Sequence, residues 1–146
     1  MRVHNRRFLN RHFLASAMLA AAILIAALAI SASAATPLKI TNCNTASSRP
    51  KLLTLACGDG NTVLKGLSWS SFGGSTAQAK GTFVINLCEP NCAAGKDASY
   101  PVTAKASGQR SCKKGLRVYS KLTLQFTGRA PKSASSLKRW TLGCPT

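Results

Sequence analysis

Apolar and polar side chains alternate with a period of two between residues 117 and 126. In an extended chain, one face carries Val118, Leu122, Leu124 and Phe126, and the other carries Arg117, Tyr119, Lys121, Thr123 and Gln125. A strand with one buried face and one face in water has this pattern. Residues 100–105 repeat it more weakly, with Val102 and Ala104 on the buried side.

The rest of the chain beyond residue 35 has no helical period, and short β-branched and aromatic runs alternate with Gly, Ser, Asn and Pro. Strands are predicted at residues 38–42, 51–56, 63–68, 76–87 (with a break at Gly81), 100–106, 116–126 and 140–142. Turns are predicted at residues 57–61, 73–74 and 108–109, and a loop at 129–136 before the last strand. About seven short strands of this kind predict an all-β domain, either a small sandwich or a barrel.

The N-terminal segment has a different pattern. Residues 1–12 contain four arginines and no acidic residue, residues 13–30 are apolar or small, and residues 31–35 read Ser-Ala-Ser-Ala-Ala. This order predicts a helical secretory signal peptide at 1–34, with Ala35 as a near-equal cleavage point, and a single secreted β-domain at 35–146. The competing interpretation is an uncleaved anchor, although the apolar run spans only ~27 Å as a helix, against a bilayer core of ~30 Å.

Charge adds a constraint on this small domain. The whole chain carries +17; without the four N-terminal arginines, sixteen Lys and Arg residues face three acidic ones, a net +13 over 112 residues. Self-repulsion of this size opposes compaction. Some other interaction must therefore stabilise a domain of this length.

Cysteines are the candidates for that stabilising interaction. All six lie in the predicted secreted domain: Cys43, Cys57, Cys88, Cys92, Cys112 and Cys144. An even count in an exported chain predicts three disulfides, and sequence leaves fifteen pairings open. Each bridge contributes about 2–4 kcal/mol. Zinc binding is less favoured, because there is no second close Cys pair and no His pair, so we predict neither a metal nor a cofactor.

Little acid–base chemistry is available after residue 35. Both histidines, His4 and His12, belong to the signal segment, and the only acidic residues are Asp59, Glu89 and Asp97. No histidine is present there to activate a serine, and no G-x-S-x-G motif occurs. We therefore expect no catalytic residues and no enzymatic activity.

Two features allow both a structural and a functional interpretation. Residues 57–61 read Cys-Gly-Asp-Gly-Asn, which favours a tight turn with an Asx hydrogen bond over a calcium loop, because a single carboxylate is too few for calcium. Trp69, Phe72 and Trp140 are interpreted as core residues, with an exposed aromatic platform as the less favoured alternative.

Two basic clusters are the candidate binding residues. One flanks Cys112 and the other surrounds the last loop; together they comprise Arg110, Lys113, Lys114, Arg117, Lys132, Lys138 and Arg139. Acidic neighbours are nearly absent, so these cations lack internal partners and are expected to attract polyanions.

Several segments together carry a family resemblance. They are CGDGN at 57–61, LSWSSFG at 67–73, Gly81, NLCEPNCAAG at 86–95, YPV at 100–102 and Cys112. As a set they resemble a pattern in small secreted, disulfide-containing proteins of high-GC Gram-positive bacteria (actinobacteria), and the resemblance covers roughly half of the chain. It implies export and a disulfide-stapled domain, and supplies neither an activity nor a site residue.

The leading hypothesis is a non-enzymatic domain, extracellular or associated with the cell envelope. It would bind an anionic cell-wall polymer or membrane surface through its basic residues. Nucleic acid is a less favoured partner, because interleaved aromatic residues are sparse. The alternative is a secreted protein-binding module, such as a protease inhibitor or an antimicrobial, toxin-like protein, in which a rigid loop at 89–100 contacts the partner. The oligomeric state stays open.

Overall fold

The computed structural model describes residues 36–146, which form one compact unit. The predicted signal peptide at 1–34 therefore lies outside the described residues. Eight strands make up the unit: β1 (Leu38–Asn42), β2 (Thr45–Ser47), β3 (Leu52–Thr54), β4 (Thr62–Ser71), β5 (Thr76–Asn86), β6 (Asp97–Ser111), β7 (Arg117–Phe126) and β8 (Arg139–Thr141). A 3₁₀ turn, Lys113–Gly115, joins β6 to β7, and a four-residue helix, α1 (Ala134–Leu137), precedes β8.

The strands form one sheet in the order β2-β1-β7-β6-β5-β4-β3, which curls into a half-barrel. Neighbours pair antiparallel except β1 and β7, which are parallel. β8 pairs with residues 121–123 of β7, just beyond the point where β1 pairs with residues 117 and 118. The predicted all-β, disulfide-stapled domain is confirmed.

The inner face of the curled sheet carries the hydrophobic core. Its fully buried side chains include Ile40, Leu53, Leu64, Phe83, Tyr119, Leu122 and Leu124. The central strands β5 and β6 contribute alanines that pair across the ladder, Ala77 with Ala106 and Ala79 with Ala104. Because alanines occupy little volume, larger side chains from β4 and β7 can fill the centre of the core.

A side chain of β1, the strand next to the end strand β2, reaches β3 at the other end of the sheet. The backbone N–H of Thr54, in the edge strand β3, donates to Oδ1 of Asn42 in β1 at 2.8 Å, and the Asn42 amide donates to the Leu52 carbonyl at 3.5 Å. The disulfide between Cys43 and Cys57 makes a second link beside it. The carboxamide thus pairs with the free edge of β3 as a neighbouring strand would.

The predicted break at Gly81 is wrong, because β5 runs unbroken from residue 76 to residue 86. The irregularity lies in the partner strand, where β4 bulges between Lys65 and Ser68 at Gly66, whose φ is 63°. A Cβ at Gly81 would lie 2.9 Å from the Lys65 carbonyl oxygen. Glycine at 81 is therefore required by the close approach of the bulge.

The predicted reversal at 108–109 is also wrong. β6 continues through Gly108 to Ser111, and the chain reverses at Lys113–Gly115. Gly108 has a φ of 63° and bends the ladder between the pairs Ser107–Lys121 and Gln109–Tyr119. Beyond this bend Tyr119, expected on the wet face, is fully buried in the same core cluster as Leu122.

Two smaller elements differ from the sequence prediction. β2 is a three-residue polar strand that lacks the apolar alternation on which the prediction relied. The predicted loop at 129–136 contains the start of α1. Both elements are short, so neither carries a recognisable period.

The Tyr119 hydroxyl provides a test of this packing. It accepts a hydrogen bond from the Gly73 N–H and donates one to the Gly74 carbonyl, both at 2.9 Å, and so holds the β4–β5 turn against β7. Tyr119→Phe should lower the free energy of unfolding by about 1–3 kcal/mol, because two partly buried backbone groups lose their partner. Urea unfolding of the oxidised protein measures this loss of stability. Tyr100→Phe is the matched control and should change stability by less than about 0.5 kcal/mol; equal losses would contradict the assignment.

The link between β1 and β3 predicts a second stability difference. Asn42→Ala removes both hydrogen bonds to β3 and should cost about 1–3 kcal/mol. Asn44→Ala, two residues along, removes only an exposed contact with Thr146 and should be nearly neutral. Urea unfolding of both variants with disulfides intact checks this, and equal destabilisation would rule out a closing role for Asn42.

Candidate polyanion-binding surface

All six described cysteines are paired: Cys43 with Cys57, Cys88 with Cys92, and Cys112 with Cys144. The expected number of bridges is confirmed. Within residues 36–146, no group of three or more His, Cys, Asp or Glu side chains is arranged to hold a metal ion. Disulfides of this number indicate an oxidising environment outside the cytoplasm.

The turn at 57–61 has the predicted Asx geometry. The Asn61 backbone N–H donates to Asp59 Oδ1 at 3.1 Å, and the Asn61 amide donates to Oδ2 at 2.9 Å. The Gly60 N–H donates to the Ala56 carbonyl at 2.9 Å. Both carboxylate oxygens of Asp59 are therefore engaged in shaping the turn.

The aromatic residues pack against the core, as expected. Trp69 meets Phe72 edge-on at 5.0 Å between ring centroids, and Phe72 meets Tyr119 in the same way at 5.6 Å. The indole N–H of Trp69 donates to the Pro50 carbonyl at 2.9 Å, and that of Trp140 donates to the Leu137 carbonyl at 2.8 Å. Their polar atoms are bound within the chain, so these rings do not form a free platform.

The first predicted basic cluster lies around the β6–β7 turn. Arg110 lies near the end of β6, Lys113 and Lys114 form the 3₁₀ turn, and Arg117 begins β7. Arg117 is half-buried: its guanidinium donates to the side-chain oxygen of Gln109 and to the Thr36 carbonyl. Arg110, Lys113 and Lys114 are exposed.

The second predicted cluster lies at a different part of β7. Lys132 precedes α1, Lys138 follows it, and Arg139 begins β8, where it pairs with Thr123; all three cations are exposed. Thr123 lies six residues beyond Arg117 on β7, which corresponds to about 20 Å along a strand. The two clusters are therefore separate surfaces and do not form one patch.

The outer face of the sheet carries a further set of cations that sequence reasoning missed. These are Lys65, Lys80, Lys105 and Lys121, which are all exposed and lie on the successive strands β4, β5, β6 and β7. The alternation pattern had already placed Lys105 and Lys121 on the wet side of their strands. The strand register, which local sequence does not determine, brings the four onto one surface.

The three carboxylates lie away from these four lysines, at one end of the sheet. Asp59 lies in the β3–β4 turn, Glu89 in the β5–β6 loop, and Asp97 begins β6. These two connections adjoin, since the Asn86 N–H donates to the Asn61 carbonyl at 2.9 Å. The three acidic residues thus lie at one end of the sheet, opposite the cationic β6–β7 turn.

Neither protein-family models, nor curated proteins, nor solved structures gave a match to this chain. The resemblance to small secreted actinobacterial proteins stays a prediction. Among the described residues, no helix has the length and apolar character needed to cross a membrane.

A small cleft lies beside β8, where the end of β1 approaches β3. It measures about 110 Å³ and is lined by residues that include Thr41, Leu55, Trp140 and the disulfide cysteines Cys43 and Cys57. Pockets for drug-sized ligands occupy roughly 300–1,000 Å³. The cleft is too small for such a ligand, so the cationic surfaces are the better candidate site.

Lys114 combines positive charge with an unfavourable backbone conformation. Its φ is 56°, in the left-handed region where glycine is preferred. Lys114→Gly should therefore raise the free energy of unfolding by up to about 1 kcal/mol. Lys113→Gly is the control, because its φ is not positive and the same charge is lost. Thermal unfolding at fixed ionic strength compares the stability of the two variants. If Lys114→Gly is no more stable than Lys113→Gly, the backbone at Lys114 is not strained.

Proposed function

We propose that the chain is an exported, non-enzymatic domain that binds an anionic polymer of the cell envelope by electrostatic attraction. The observation that carries the proposal is the separation of charge along the sheet: the outer face holds Lys65, Lys80, Lys105 and Lys121 on adjacent strands, whereas the three carboxylates lie in two connections and at the first residue of β6, eight residues before Lys105. Cations without nearby acidic partners keep their full attraction for an external polyanion.

Binding would follow from release of counterions. Each phosphate or carboxylate neutralised by a lysine frees a condensed cation into bulk solution, and this gain diminishes as salt is added. Lysines on neighbouring strands lie within about one Debye length of each other at physiological ionic strength. They therefore act together on a polymer that spans several of them.

Export supports this choice of partner. Three disulfides favour an oxidising compartment, and the predicted signal segment at 1–34 would deliver the domain there. Anionic wall polymers and lipid headgroups are the polyanions available at an envelope. The side chains present from residue 36 onward suit binding better than catalysis, since the segment has no histidine and its three carboxylates serve loops and a strand end.

One feature favours a second candidate, a protein-binding module. The β5–β6 loop is closed by the Cys88–Cys92 bridge and held by Asn86, whose Oδ1 accepts from the Cys88 N–H at 2.8 Å and whose amide donates to the Cys92 carbonyl at 3.2 Å. Beside it, Leu87 is 49% exposed. A pre-ordered loop with an exposed apolar side chain loses little entropy on docking. Inhibition of a panel of extracellular proteases would support this candidate.

The proposed function predicts a steep salt dependence. The oxidised domain should bind immobilised phosphodiester polymer, with log K falling linearly against log salt, and its affinity should drop at least tenfold between 50 and 200 mM salt. Changing Lys65, Lys80, Lys105 and Lys121 together to Gln should lower the slope by up to about 4. Binding that is insensitive to salt, or no tighter than that of an evenly charged basic protein of similar pI, would contradict the proposal.

A further inference from the structure

We propose that the outer face of the sheet is a track for one linear polymer of small polyols joined by phosphodiesters. The track is the lysine diagonal, defined as Lys65, Lys80, Lys105 and Lys121. This inference rests on the proposed function and adds the chemical class of the ligand and its path across the surface.

The strand register fixes the diagonal. Lys65 pairs with Thr82, and Lys80 lies two residues before Thr82 on the same face of β5. The same step recurs: Lys80 pairs with Thr103, two residues from Lys105. Each lysine is therefore the diagonal neighbour of the next, a relation that places residues about 7–8 Å apart.

The third step completes the series. Lys105 pairs with Thr123 of β7, and Lys121 lies two residues before Thr123. Lys121 in turn pairs with Thr141 of β8. Each of the four lysines is thus paired with a threonine on the next strand, from β4 through to β8. The lysine series itself spans about 20–25 Å in three diagonal steps.

This spacing matches a phosphodiester chain of polyols. Successive phosphorus atoms joined through a three-carbon polyol are six bonds apart. An extended chain advances 3.3–3.6 Å for every three backbone bonds, so its phosphates recur about every 7 Å. A polymer laid along the diagonal could therefore present one phosphate to each lysine.

The neutral residues on the track suit a polyol. Thr82, Thr103 and Thr123 lie between successive lysines, and their hydroxyl groups can both donate to and accept from the hydroxyls of a polyol. One of the binding residues predicted from the sequence, Arg139, lies beside the track, two residues from Thr141. The other predicted residues are Arg110, Lys113, Lys114, Arg117, Lys132 and Lys138. Arg139 extends the cationic surface onto β8.

A single-stranded nucleic acid has the same number of bonds between phosphates, but the surface fits it less well. Proteins that bind single strands without sequence preference stack the bases on aromatic side chains. The residues paired with the diagonal are Leu52, Ser68, Gln78, Thr82, Thr103, Ser107, Thr123 and Thr141, and none of them is aromatic. The observations therefore favour a polymer without bases.

The first experiment measures affinity for synthetic poly(glycerol phosphate) of defined length by calorimetry at fixed salt. The double variant Lys80→Gln with Lys105→Gln should lose roughly tenfold to thirtyfold in affinity. The matched control, Lys51→Gln with Lys96→Gln, removes the same charge from two exposed lysines off the track and should lose less than about threefold. Thermal unfolding of each variant verifies that the fold is intact.

The second experiment moves a charge without changing composition. Gln78→Lys together with Lys80→Gln keeps the net charge but shifts one cation by a row, so that it lies opposite Lys105 and the diagonal is broken. Affinity for the polymer should fall by at least about threefold, since one phosphate loses its lysine. An affinity equal to that of the unaltered protein would overturn the track.

The outcomes separate this inference from the proposed function. Equal losses in the track and control variants, with salt-dependent binding retained, would overturn the diagonal and leave general polyanion binding standing. No binding by the unaltered protein to the polymer would overturn both. Tighter binding to a polynucleotide of matched phosphate number, or to anionic vesicles, would overturn the polyol-phosphate ligand.

Discussion

The pairing between the Asn42 carboxamide and the edge of β3 is the contact on which the shape of the sheet depends. Without it, β3 would present unpaired N–H and C=O groups, which attract other chains. With it, β1 and β3 meet although four strands separate them in the order of the sheet. The adjacent Cys43–Cys57 bridge keeps the two segments together in the unfolded chain as well, which raises the probability that the contact forms.

Curling has a consequence for charge. The inner face is filled by side chains from every long strand, including alanine pairs at the centre, so the polar residues of those strands are directed outward. The outer face then collects one lysine from each of four adjacent strands. Acidic residues are confined to one end of the sheet, in two connections and at the first residue of β6. The distribution of charge is thus a product of strand register and loop composition together.

Much of the fold could be predicted from local patterns. The bounds of β1 matched residues 38–42, and the alternation at 117–126 identified β7 to within one residue. The Asx turn at Asp59 followed from a short motif whose geometry is set by neighbouring residues. In each case the determining interactions lie within a few positions along the chain.

What escaped prediction depends on contacts between distant segments. In the sequence, Gly81 suggests a break in the strand, and its role becomes clear only from the bulge in the strand opposite. Gly108 suggests a turn, although in the structure it bends a continuous strand. Tyr119 was expected in water because the phase change at that bend is not visible in the alternation. The lysine diagonal depends on three strand registers together, so each lysine alone looks like an ordinary surface residue.

In the part of the chain that the structure describes, the outer face of the curled sheet is convex, and its four lysines are exposed. A bound polymer can therefore lie across the face at any point along its length, and neither of its ends has to enter a closed site. Several copies of the domain could bind side by side on one long polymer chain, and their number would increase with the length of that chain. Coverage would then be limited by repulsion between neighbouring copies, each of them strongly cationic, and would increase when dissolved ions weaken that repulsion more than the attachment itself.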